Sequence, residues 1–361
     1  MNNLHSVKTM AANKYPADTL KLGHGVNLSH WLAQHFEGTP DYNFFFTRDD
    51  VQYLKEKGFG HIRLQIEESE MWDKDGNPIE EKFQILTNAM NWLQEAEMSA
   101  ILDLHILNCH HFNAVNGEGE NTLFDKEESV QHFIEIWRQL SDRYKHYPNN
   151  FLAYEILNEA VAEDPEDWNR VLLACCAGIR ELEPQRILVI GSNRWQQPQM
   201  FPYLKVPEND KHLLLSFHFY VPICFTHYTA HWLNDFADFR GPIQYPGHIV
   251  PPEYLEALPE SPAKEMLKEF PYNDKETLHK AMMPAIQYAR EHDLPLYCGE
   301  WGCLRVLPRE QRLQWHQDMS QILKEENLTN AMWEYKYHEF GIRHEVLNDS
   351  DDELVDIILN S

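Results

Sequence analysis

Positive charge is scarce in this sequence. Its 31 lysines and arginines stand against 57 aspartates and glutamates, a formal net charge of −26. Nucleic acid is excluded as substrate, because binding phosphate needs cations to displace counterions. Polyanionic polysaccharides and anionic membrane surfaces are disfavoured for the same reason. Long apolar runs are missing too: no stretch of about 18 apolar residues exists to cross a membrane. The opening residues MNNLHSVKTMAANKYPADTLKLG contain no apolar secretory segment. The expectation is a cytoplasmic protein, or a secreted or periplasmic one if a leader has been removed. Cysteine is sparse: Cys109, Cys175, Cys176, Cys224, Cys298 and Cys303, with no C-x-x-C. Four lie in or beside apolar segments, which suits reduced thiols rather than a disulfide frame. A glycine-rich phosphate loop is also lacking, since Gly23-His-Gly25 runs into Val-Asn-Leu-Ser and not G-x-G-x-x-G.

What is present is a repeat of pattern without a repeat of sequence. Short apolar, β-branched or aromatic runs alternate with amphipathic helical ones. The strands are predicted at Leu22–Leu28, His61–Ile66, Ala100–Ile106, Leu152–Leu157, Arg186–Ile190, Leu213–Tyr220, Pro295–Glu300 and Ala331–Tyr335. Their runs are mostly continuous, as parallel strands buried on both faces require. Between them, Asp125-Lys-Glu-Glu128 suggests a capping box ahead of the stripe Val130, Phe133, Ile134, Trp137, Leu140 and Tyr144. Asp164-Pro165 supplies a cap and an N1 proline, and Gly58 closes a helix begun near Thr47. Eight β-then-α units predict an α/β fold, a single (β/α)₈ TIM barrel; a doubly wound sheet is the alternative. One catalytic domain is expected over residues 1–361, with an extension at 1–20. Residues 221–272, rich in proline and aromatics, read as an ordered insertion after strand six, over the C-terminal face.

In such a barrel, residues at the C-terminal ends of the strands converge on one pocket. Read off in order, those ends carry Arg63, then Asp103-Leu-His105, Asn158-Glu159, His218-Phe-Tyr220, Glu300-Trp301-Gly302 and Trp333-Glu334-Tyr335. Any one could be a satisfied structural group. Six apolar strands each finishing on polar or aromatic residues read together as a site.

This order, R, D-x-H, N-E, H-x-Y, G-E-[FW]-G and W, resembles glycoside hydrolase family 5, the cellulase-like retaining barrel enzymes, over roughly Lys21–Tyr337. Leu157-Asn158-Glu159 and Gly299-Glu300-Trp301-Gly302 are its strongest pieces. Ala160 departs from the proline common after Asn-Glu in such families. The resemblance implies a retaining glycosidase with Glu159 as acid/base and Glu300 as nucleophile. Retention needs two carboxyl groups about 5–5.5 Å apart, and strands four and seven face each other across an eight-stranded barrel. It further implies that Asn158 donates to the sugar 2-hydroxyl and that Arg63 and Tyr220 hold Glu300 ionised. His218 would bond near the acid/base, His105 would line the central subsite, and Trp333 would floor it.

Trp31, Trp195 and Trp232 are further candidates for stacking on sugar. Glu67, Glu68 and Glu70 form an acidic turn expected to be solvated. Asn108-Cys109-His110-His111 has metal-type donors near His105 but no second ligand set at zinc spacing; no metal and no cofactor is expected. The expected partner is a neutral β-linked oligo- or polysaccharide, with no protein partner evident. A β-1,4-glucan is favoured, while mannan-type activity or exo-glucosidase action on the same frame stays open. A non-catalytic sugar-binding barrel and a metal-dependent hydrolase are the readings of other classes.

Overall fold

The computed structural model describes residues 14–36, 39–234, 236–344 and 349–360. Eight parallel strands close a barrel: β1 (His24–Leu32), β2 (His61–Glu67), β3 (Ser99–Ile106), β4 (Leu152–Glu155), β5 (Ile187–Gly191), β6 (Leu213–Phe219), β7 (Leu296–Trp301) and β8 (Thr329–Met332). Each pairs with its sequence neighbour, and β8 returns to β1 with Val26 opposite Met332. The TIM barrel expected from the alternation is therefore what forms, and the doubly wound sheet is not.

The major helices are α1 (Arg48–Lys57), α2 (Glu80–Glu95), α3 (Glu127–Tyr144), α4 (Pro165–Leu182), α5 (Lys275–His292), α6 (Arg309–Glu325) and α7 (Asp352–Leu359). Thr47 and Asp50 cap α1 reciprocally, and Gly58 ends it in the left-handed region at φ 112°. Asp164 accepts from the Glu166 N–H at 2.9 Å, with Pro165 at the first position of α4. The capping box expected at Asp125 does not form. Lys126 occupies the cap without a side-chain bond, one residue after Asp125, and Glu127 and Glu128 face the helix dipole instead. The unit after β5 carries no long helix: a four-residue turn, Asn193–Gln196, is followed by a 3₁₀ stretch, Pro198–Tyr203, where Pro202 lacks the N–H that an α-helix would need.

Apolar side chains fill two layers. Inside the barrel lie Ile101, Ala153, Ile187, Val189, Leu214, Tyr297 and Ala331. Ala17 and Leu20, on the short turn Pro16–Leu20, join that cluster, so this part of the predicted extension plugs the barrel. Between strands and helices runs the larger layer, including Leu64, Leu102, Trp137, Leu172, Ile179 and Met319.

The segment after β6 is built of short helices (Ile223–Thr226, Pro252–Ala257, Pro262–Glu269) and a two-residue strand pair, Gly247–His248 with Tyr272–Asn273. Its Tyr245 hydroxyl donates to Asp318 of α6 at 2.7 Å. Residues 229–232, by contrast, line a cavity with Leu304, Arg305 and Val306 after β7. The segment thus spans from the C-terminal face to the barrel's flank.

Candidate active site

Arg63 is the hub. Strand alternation turns it into the barrel interior, where it is fully buried. Nε and Nη2 bond the two Glu155 oxygens at 2.6 and 3.1 Å. Nη1 donates to Glu300 Oε1 at 2.6 Å and Asn27 Oδ1 at 2.9 Å. Nη2 also donates to Asn158 Oδ1 at 2.9 Å and lies 3.1 Å from Asp103 Oδ2. One guanidinium thus serves three buried carboxylates, which its planar fork allows and an ammonium could not match. With Asn158 Oδ1 engaged, its amide N–H₂ is left to donate to a ligand.

Glu300 lies within β7, while Glu159 lies four residues beyond the end of β4 with φ 46°. One oxygen of each, together with a His218 ring nitrogen, lie within 4.8 Å of one another. The Tyr220 hydroxyl donates to Glu300 Oε2 at 2.9 Å, and His218 Nδ1 lies 2.8 Å from Glu159 Oε1. Burial pushes Glu159 well above the ordinary carboxylate range, and the charge on Glu300 adds to the effect. Burial also lifts Glu300, up to about 7, against the downward pull of Arg63 and the Tyr220 hydrogen bond. Of the pair, Glu300 is the one built to ionise and Glu159 the one built to keep its proton. Burial, reinforced by Arg63, holds His218 and His105 neutral.

These raised values cost stability. Between the ordinary range and its raised value, folded Glu159 keeps a proton that the unfolded chain releases. The unfolded state then binds fewer protons, so stability falls as pH rises through that window. Glu159→Gln is accordingly expected to stabilise the protein by about 1 kcal/mol at pH 8, read as a higher thermal midpoint, while impairing catalysis.

Residues 24–339 match the cellulase family, glycosyl hydrolase family 5. The chain belongs to glycosyl hydrolase family 5. It is 31% identical to Endoglucanase C of Acetivibrio thermocellus, across 92% of this chain and 97% of that one. It is 26% identical to Cellodextrinase A of Ruminococcus flavefaciens, across 84% and 83%. In fold it is similar to Cel5A of Thermotoga maritima in complex with cellobiose, with a TM-score of 0.76, 23% identity and 95% and 99% coverage; that protein has also been solved with mannotriose. Like its family, this chain is a glycosidase that hydrolyses O-glycosyl compounds.

The remaining predicted residues divide. His105 bonds Asp103 at 2.7 Å and lies parallel to the half-buried Trp333, with ring centroids 5.9 Å apart, beside the carboxylates. Trp31 is a correction: it is fully buried and its Nε1–H donates to the Tyr42 carbonyl at 2.8 Å, so it is core and offers no face to sugar. Trp195 is half-buried and donates to the Phe112 carbonyl at 3.0 Å. Trp232 is half-buried and lines, with His231, Leu304, Arg305, Val306 and His338, a cavity of about 200 Å³. The Glu67–Glu70 turn is not simply solvated. Glu68 is buried against His132 and the Asn108 N–H, and Glu70 bonds Lys82 and Tyr42. The donors near His105 do not gather either. Among the described residues, the one group of three metal-type donors within reach of each other is Glu159, His218 and Glu300.

Sequence reasoning missed Asn27, Glu155 and Gln196 in this family 5 site. Glu155 had a signal, a charged residue inside the apolar run of strand four. Asn27 had a weaker one on strand one, and Gln196, in a loop, had none.

Proposed function

We propose that this enzyme cleaves β-1,4-linked glucan chains or oligosaccharides by double displacement, retaining the anomeric configuration. Glu300 attacks the anomeric carbon while Glu159 gives its proton to the departing glycosidic oxygen. Glu159, now a carboxylate, then takes a proton from water as that water attacks the same carbon and releases Glu300. The observation that carries this reading is the close approach of the two carboxyl groups, one oxygen of each lying within 4.8 Å of the other, which fits the separation of about 5–5.5 Å that retention needs. Inverting enzymes hold theirs about 6.5–9.5 Å apart to admit a water. Arg63 and Tyr220 fit the task of keeping the nucleophile charged. Asn158 fits contact with the 2-hydroxyl, and Trp333 beside His105 fits the floor of the central subsite. Trp232 and Trp195 are proposed to flank the cleft.

The glucan assignment is supported by the relatives named endoglucanase and cellodextrinase. A mannan-type substrate is the second reading, supported by the mannotriose complex of the similar fold. Turnover of aryl β-glycosides and of soluble β-glucans and β-mannans separates them. The proposal expects the highest kcat/KM on β-1,4-glucan or cello-oligosaccharides, and faster turnover of mannan overturns that part.

The pH profile follows from the pair. Activity should fall on the acid side as Glu300 protonates and on the alkaline side as Glu159 loses its proton, a bell in kcat/KM. Glu159→Gln should abolish the alkaline limb, and a limb that persists assigns it to another group. Tyr220→Phe should lower kcat about 10- to 100-fold and move the acid limb upward, because Glu300 loses the hydrogen bond that favours its charge.

A further inference from the structure

We infer that Gln196 is a positioning residue for the acid/base, acting through the main chain of Glu159; this rests on the reading of Glu159 as that acid/base. Glu159 stands outside the barrel strands in the left-handed region, so no ladder partner fixes its backbone. Its N–H donates instead to Gln196 Oε1 at 3.0 Å. The other end of the same amide, Nε2, donates to Glu155 Oε1 at 3.3 Å and lies 3.5 Å from the Ser216 carbonyl. Glu155 is the carboxylate that Arg63 grips with two bonds, and Arg63 also holds Glu300. One buried amide therefore ties the backbone of the acid/base to the shell that orients the nucleophile.

The chemistry of the two ends selects glutamine. A main-chain N–H needs an acceptor, and a carboxylate beside it needs a donor. Glutamate would satisfy the N–H but set a second charge against Glu155, and methionine or leucine would satisfy neither. The backbone is bent to deliver this side chain. Arg194, Trp195 and Gln196 are consecutive non-glycine residues with φ of 54°, 62° and 53°, an uncommon run. Reciprocal bonds between Asn193 and Ala162, at 2.9 and 3.0 Å, hold the loop to the Glu159 loop. Gly191 clears the path, since a Cβ there would meet Gln196 Cγ at 2.3 Å. Strained backbone that serves one buried polar side chain is the pattern found at functional sites.

The test is kcat/KM, which reports the step needing acid, on two aryl β-cellobiosides. Phenol is a poor leaving group that needs a proton; 2,4-dinitrophenol does not. Gln196→Met should lower kcat/KM about 10- to 100-fold for the phenyl substrate and under about 3-fold for the dinitrophenyl one. A purely structural role would lower both alike. Glu159→Gln, run in parallel, should show the same discrimination more strongly. If it shows none, the acid/base reading fails. If it does, and Gln196→Met lowers both substrates equally or neither, the positioning inference fails alone. Hydrogen exchange in the unmodified protein covers a variant that does not fold. The Glu159 amide should be protected like those of the barrel strands, and exchange at the rate of an exposed loop amide would overturn the inference.

Discussion

Glu300→Gly is expected to lower kcat on the order of 10⁶-fold, the scale seen when a covalent nucleophile is removed, with little change in fold. Added azide should restore turnover of a dinitrophenyl β-glycoside and release the α-glycosyl azide. Azide fits the space vacated by the carboxylate and attacks the same face of the sugar, and without Glu300 there is no second displacement to restore the β configuration. The product is read directly from its anomeric proton coupling. A β-glycosyl azide would exchange the roles of the two glutamates, and unaltered activity would remove Glu300 from the mechanism. The corresponding Glu159 variant should give the β product, because its nucleophile is intact and azide then intercepts the glycosyl-enzyme.

Arg63→Met should be the most damaging single change to stability. Arg63 is fully buried and touches Glu155, Glu300 and Asp103. Removing the cation leaves three carboxyl groups without their common partner in a water-poor interior. Breaking a buried pair in this way costs about 3–5 kcal/mol, read as a lower urea midpoint. The sign of its pH dependence is fixed as well. Burial already pushes Asp103 and Glu300 up to about 7 against the pull of Arg63. Without that pull they rise further, so the folded variant keeps protons that the folded parent releases, and the loss of stability relative to the parent deepens as pH rises above about 7. A variant that unfolds no more readily than the parent would show that the hub is not what holds the site together. Arg63→Lys separates charge from geometry. It keeps the cation but cannot bond Glu155 twice and still reach Glu300, so it should regain part of the stability and little of the activity.

The barrel was legible because its strands are continuous apolar runs and its helices are stripes of period 3.6, a contrast that survives in a single sequence. Boundaries were less so. Strand four was expected to reach Leu157 but ends at Glu155, because the chain there turns from the ladder to present Asn158 and Glu159. The two glutamates, Arg63, His218 and Tyr220 stand out in the sequence as polar residues at strand ends, and hydrogen bonds bring them together. What was not legible depends on long-range placement. Trp31 and Trp195 look alike in sequence, each just past a predicted strand, yet Trp31 lies on β1 itself. One turns into the core and donates to Tyr42, while the other stays half-buried near Phe112. Gln196 could not have been found, since its role depends on two partners about 40 positions away and on a left-handed loop that no local pattern announces.

The approach of Glu159 to Glu300, one oxygen of each within 4.8 Å of the other, fits a covalent glycosyl-enzyme and therefore net retention. Proton NMR of the first product released from cellohexaose, followed before mutarotation, tests it most directly. With retention, the new reducing end appears first as the β anomer and drifts to the equilibrium mixture. An α anomer appearing first would contradict it.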